Sequence, residues 1–140
     1  MEWQTPKTDW QVRYDENGRY EGDYFEAEDY NRIMDNLIWL AQESQGLWPP
    51  FETPTKQWVT AESFGYASYI NALEEWLESL VLHTADPGVY YGRRWLENGP
   101  APTADDLNRM EKGTLALYHM LAQQKQARPK LAIALNRRDF

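Results

Sequence analysis

The chain contains no cysteine and only two histidines, His83 and His119. The first absence removes disulfide frameworks, thiolate zinc sites and cysteine nucleophiles together. The second leaves no His-x-x-x-His or similar ligand spacing. Basic charge is also scarce: 14 Lys and Arg stand against 22 Asp and Glu, for a net charge of −8. Such a chain repels a phosphate backbone, which argues against a nucleic-acid partner. No apolar run approaches the length of a membrane span. The opening residues, Met1-Glu2-Trp3-Gln4-Thr5-Pro6, lack the basic and apolar regions of a signal peptide. Nucleophile-elbow, Walker and dinucleotide-binding patterns are missing too. The expectation is a non-enzymatic protein with no catalytic residue, no cofactor, no metal and no membrane partner.

Aromatic rings, by contrast, are abundant: seven Trp, nine Tyr and four Phe in 140 residues, with 42 % hydrophobic residues overall. That length and composition suit one domain with a real core. Tyr and Trp also suit contact surfaces, having an apolar body and a polar tip. The charge is uneven. From Leu121 onward Lys125, Arg128, Lys130, Arg137 and Arg138 face Asp139 alone, so the last twenty residues carry +4 and the other 120 carry −12.

Three regions follow from the pattern, within one domain. Residues 1–24 read as an extended or β-hairpin arm, because Trp10, Val12 and Tyr14 alternate with polar residues and Asn17-Gly18 supplies a hairpin turn before Tyr20. Residues 25–128 hold three helices. The first begins near Glu26 with Tyr30, Ile33, Leu37 and Leu40 on one face, and stops by Gly46. The second starts after Thr60 and carries Phe64, Tyr66, Tyr69, Ile70, Leu73, Trp76, Leu77 and Leu80. The third opens at Thr103 with the capping pattern Thr103-Ala104-Asp105-Asp106 and is expected to end near Arg128, ahead of Pro129. Residues 129–140 then form a basic tail. The fold class is mainly α: a three-helix, bundle-like domain of repeated helix–loop units with an N-terminal arm.

The helices share a signature. Tyr30-Asn31-Arg32-Ile33, Ile70-Asn71-Ala72-Leu73 and Leu107-Asn108-Arg109-Met110 each read apolar-Asn-x-apolar, with Ala27, Ala67 and Ala104 three residues earlier. Asn is a poor helix-interior residue because its amide competes for main-chain groups. Its recurrence at Asn31, Asn71 and Asn108 predicts a structural tie between each helix and a neighbouring loop. The acidic groups Glu74-Glu75 with Glu78, and Asp105-Asp106 with Glu111, read as a solvated helix face and a helix start. The arm aromatics Trp10, Tyr14 and Tyr20, and the cluster Tyr91, Arg93, Arg94 and Trp95, are the candidate partner-binding residues, the arginines packing over rings.

The run Gly22-Asp23-Tyr24-Phe25-Glu26-Ala27-Glu28-Asp29-Tyr30-Asn31-Arg32-Ile33 stands out. With Pro6-Lys7-Thr8-Asp9-Trp10 upstream, and Ile70-Asn71-Ala72-Leu73-Glu74 and Leu107-Asn108-Arg109-Met110-Glu111 downstream, it resembles small helical proteins encoded in the tail and baseplate modules of phages and prophages of Gram-positive gut bacteria. The resemblance covers most of the chain but not residues 47–55 or 89–102, and Glu26 stands where the family has a small polar cap. It implies a virion component or assembly factor, made in the host cytoplasm, whose partners are other phage tail proteins; the basic tail on an acidic body leaves self-association open beside it. It brings no catalytic residue. Two alternatives remain open: an acidic effector that binds and inhibits a host protein, and a glycan-binding module using Trp48, Trp58 or Trp95.

Overall fold

The computed structural model describes residues 2–54, 67–88, 92–97 and 99–136, with side chains described as far as residue 127. Thr60, Phe64, Tyr66, Trp58 and Tyr91, all singled out above, lie outside the described residues, as do the side chains of residues 131–135. Three helices pack together: α1 (Ala27–Ser44), α2 (Ala67–His83) and α3 (Ala104–Asn136). The repeat's alanine is the first residue of α1 and of α3, and the first described residue of α2. Among the described residues there is no strand and no helix long and apolar enough to cross a membrane.

The apolar stripes form the core. Tyr30, Ile33, Leu37 and Leu40 of α1, Ile70, Leu73, Leu77 and Leu80 of α2, and Leu107, Met110, Leu117 and Leu121 of α3 are all buried. Contacts along the helices set their direction. Near the N-terminal ends, Arg32 of α1 meets Glu111 of α3 at 2.7 Å, Arg109 of α3 meets Glu74 of α2 at 2.7 Å, and Tyr30 packs edge-on against Tyr69 at 5.7 Å. Further along, Leu40 and Ser44, Leu80 and Thr84, and Leu117, Leu121 and Gln124 line one small cleft. Like ends lie beside like ends, so the three helices run parallel.

Parallel helices need long return connections, and here extended segments lie in the grooves. The N-terminal arm runs between α1 and α3, opposite to their direction. Trp3 stacks on Tyr118 at 4.3 Å, Gln4 sits at Asn36, Lys7 at Glu111, and Trp10 at Asn108. Residues 92–97 run likewise beside α2, with Arg93 at Glu74 and Trp95 at Asn71. In the units of α1 and α3 an extended segment therefore precedes the helix.

One expectation is corrected. The helix does not stop at Pro129; α3 continues through it to Asn136. An internal proline costs about 3 kcal/mol by removing an N–H and crowding the carbonyl four residues back. Ala127 and Arg128 before it, and Lys130, Leu131, Ala132, Ala134 and Leu135 after it, favour the helix. Residues 129–136 are thus part of α3 rather than a separate tail. At the start of α1, where Glu26 takes the place of a small polar cap, the Asp29 carboxylate accepts the Glu26 N–H at 2.9 Å.

Candidate functional site

The asparagines act as clamps on the extended segments. The Asn108 amide accepts the Trp10 N–H at 2.8 Å and donates to the Trp10 carbonyl at 3.1 Å. Asn71 does the same to Trp95, at 2.8 Å both ways. A carboxamide matches a peptide group donor for acceptor, so one side chain satisfies a strand residue that lacks a sheet partner. On α1 the described clamp belongs to Asn36, which accepts the Gln4 N–H at 2.9 Å and donates to its carbonyl at 2.8 Å. Asn31, half-buried at the motif position, also has a partner, though it makes none of the described clamps.

Three residues after the clamping Asn of α2 and α3 stands a glutamate, and neither is solvated. Glu74 and Glu111 are both fully buried, which overturns the solvated reading of Glu74 and gives Glu111 a place in the interior beyond the helix start. Glu111 accepts from the Lys7 N–H at 3.0 Å, from Trp10 Nε1–H, and from Arg32 Nε and Nη2 at 3.2 and 2.7 Å. Glu74 accepts from the Arg93 N–H at 2.8 Å and receives a two-pronged Arg109, Nη1 at 2.7 Å and Nη2 at 3.0 Å. Burying a carboxylate is tolerable only with such saturation. Glu75, by contrast, is exposed as expected.

The polar hub follows the repeat. Each Arg comes directly after a motif Asn, and each Glu three residues after one. Arg32 of α1 reaches Glu111 of α3, and Arg109 of α3 reaches Glu74 of α2. The third corner would join α2 to α1, but α2 has Ala72 in the Arg place and α1 has Met34 in the Glu place. Both charges are missing together, so no buried ion is orphaned there. Burial alone disfavours charge on Arg32, yet Asp29 and Glu111 outweigh it and hold its pKa above the ordinary value. Burial likewise pushes the Asp106 carboxyl upward, but the Thr103 N–H and hydroxyl and the Arg93 guanidinium prevail and hold it below its ordinary value. Burial pushes the Tyr30 hydroxyl up to about 12, with Tyr69 contributing.

The candidate contact residues divide. Trp10 and Trp95 are buried core residues, 5 % and 8 % exposed, because their main chains are clamped and their rings fill the grooves. Lys7 lies over the Trp10 ring and Arg93 over the Trp95 ring, at 5.2 and 4.8 Å. Arg93 pairs with Asp106 at 2.7 Å and Arg94 with Glu78 at 2.6 Å. These cations therefore brace the chain's own segments. Tyr14 and Tyr20 stand elsewhere, on a small hairpin whose rungs join Gln11 to Asp23, Arg13 to Glu21 and Asp15 to Arg19. Gly18 turns it with φ +78°, a left-handed conformation that favours glycine. Tyr14, Tyr20 and Tyr24 pack edge-on at 5.5 and 5.0 Å. Tyr14 and Tyr24 are each 64 % exposed and Val12 is 56 % exposed.

Val12, Tyr24, Asn36, Glu74 and Glu111 were not singled out as site residues by sequence reasoning. The matched Asn-x-x-Glu of the second and third repeats was the available signal for the two acids. Among the described residues, no group of three His, Asp or Glu side chains is placed to hold a metal ion. Comparison with protein-family models, with curated proteins and with solved structures gives no match.

Proposed function

We propose that the chain is a non-enzymatic structural or assembly protein of a phage tail or baseplate, working through protein–protein contacts. The observation that carries this reading is the hairpin: three exposed apolar or aromatic side chains, Val12, Tyr14 and Tyr24, on an arm tied to the helices at Gln4, Lys7 and Trp10. Apolar side chains grouped on an anchored projection suit a surface that a partner covers. The resemblance of the repeat motifs to phage tail-module proteins supplies the setting. The buried acids are engaged in holding the arm and the helices, which supports a scaffold role over chemistry.

The alternatives draw less support. Of the rings considered for glycans, Trp95 is buried, Trp48 is half-buried and donates to Gln124 at 3.0 Å, and Trp58 lies outside the described residues. For a charge decoy, Glu74, Asp106 and Glu111 are withdrawn from the surface.

The test is affinity purification of tagged protein from phage-producing cells, followed by mass spectrometry of tail particles and assembly intermediates. Tail proteins are expected with the wild-type chain and lost with a Val12→Ser, Tyr14→Ser, Tyr24→Ser variant of unchanged helicity. Absence of the chain from both particles and intermediates would overturn the proposal.

A further inference from the structure

The rungs of the hairpin show which main-chain groups remain open. Residues 11, 13 and 15 face the returning limb of the hairpin. In an antiparallel pair the intervening residues turn their N–H and C=O groups outward. Val12 and Tyr14 do so, and their main-chain groups have no partner among the described residues. Residues 11–14 are all exposed, whereas Tyr20, Gly22 and Asp23 on the other limb are half-buried. An uncovered strand edge is a template for another strand, and a two-stranded hairpin gains most from a third.

We propose that this edge pairs with the same edge of a second copy across a two-fold axis, making a four-stranded antiparallel sheet. The inference rests on reading the hairpin as the contact surface. Charge selects both occupant and register. A pairing centred on Arg13 would set the two Arg13 side chains opposite each other, which is destabilising. A pairing centred on Tyr14 sets each Arg13 opposite Asp15 of the other copy, two complementary pairs in one dimer. Both groups are available: Arg13 makes no ion pair among the described residues, and Asp15 uses only Oδ1, which accepts the Asn17 and Arg19 N–H groups at 2.9 and 2.8 Å. The same register brings the two Tyr14 rings together and joins the Val12, Tyr14 and Tyr24 faces into one surface.

Each copy carries −8, but at physiological ionic strength that repulsion is screened beyond about 8 Å. The contact is smaller than a standard interface, so the expected dissociation constant is on the order of 10–100 µM.

Sedimentation equilibrium of the purified full-length chain is expected to show the mass rising from 16.5 kDa towards twice that value with concentration. Arg13→Asp should weaken the dimer about tenfold or more, with unchanged helical circular dichroism. Because the chain has no cysteine, Tyr14→Cys places one thiol beside the axis. Mild oxidation should link it into a dimer, while Arg19→Cys on the far strand should link much more slowly. A chain that stays monomeric at millimolar concentration, or equal linking rates at the two positions, would overturn the self-pairing. A monomer that still co-purifies with tail particles would assign the edge to another tail protein. A dimer that never enters particles would overturn the functional reading and leave this inference standing.

Discussion

Replacement of Glu111 by alanine removes the point where the arm, α1 and α3 meet. The fully buried carboxylate receives the Lys7 N–H, Trp10 Nε1–H and two nitrogens of Arg32. Truncation leaves Arg32, 17 % exposed, with Asp29 alone at 2.8 Å. Removing one member of a buried pair costs about 3–5 kcal/mol. Each neutral donor left without a partner in a buried place adds about 1–3 kcal/mol. Asp29 and partial solvation of Arg32 reduce the first figure, so the expected loss is about 4–5 kcal/mol, a large share of the roughly 5–15 kcal/mol that holds a domain together. The melting temperature should fall by about 10–20 °C. Urea unfolding followed by tryptophan fluorescence measures it, and Trp10, bonded to the lost carboxylate, reports arm release directly. A loss under about 1 kcal/mol would refute the view that Glu111 holds the three elements together.

Three further outcomes test the rest. Asn108→Ala and Asn71→Ala should each cost about 2–3 kcal/mol, since each strands a main-chain N–H and C=O; with Asn108→Ala, limited proteolysis should cut first in the N-terminal arm. Met34→Glu alone should be severely destabilising, and adding Ala72→Arg should recover about 1–3 kcal/mol in a double-mutant cycle if the three corners of the hub are equivalent; zero coupling would deny that equivalence. Asp106 titrates below its ordinary value of 3.8 when folded, so its contribution is present above that value and is lost as pH falls through the lower folded one. Asp106→Asn should therefore flatten the acid limb of stability against pH, read by thermal melts from pH 5 downwards.

Much of the architecture was legible because periodicity and punctuation are local. The apolar faces of all three helices, the Asn17-Gly18 turn and the Thr103–Asp106 cap arise from residues close in sequence. In that cap, Asp106 accepts the Thr103 N–H at 2.9 Å. The tie expected of the recurrent asparagine is seen at Asn71 and Asn108, whereas on α1 the described clamp is Asn36. The local pattern around the two glutamates points to a wet helix face for Glu74 and to a helix start for Glu111. What makes them interior is an arginine on another helix and an N–H of an extended segment up to 104 residues away, which no local pattern contains. Trp10 and Trp95 went the same way, read as contact rings and found in the core.

The sequence by itself determined three amphipathic helices, their shared motif and a cysteine-free acidic chain with a hairpin arm. Those properties depend on side-chain period, turn chemistry and charge, all set within a few residues. Only the tertiary structure decided that the helices run parallel, that extended segments fill their grooves, and that two buried acids pair with arginines while the third corner is apolar. It also decided which aromatics stay outside. Burial is a property of what lies opposite a residue, and chain neighbours do not specify it.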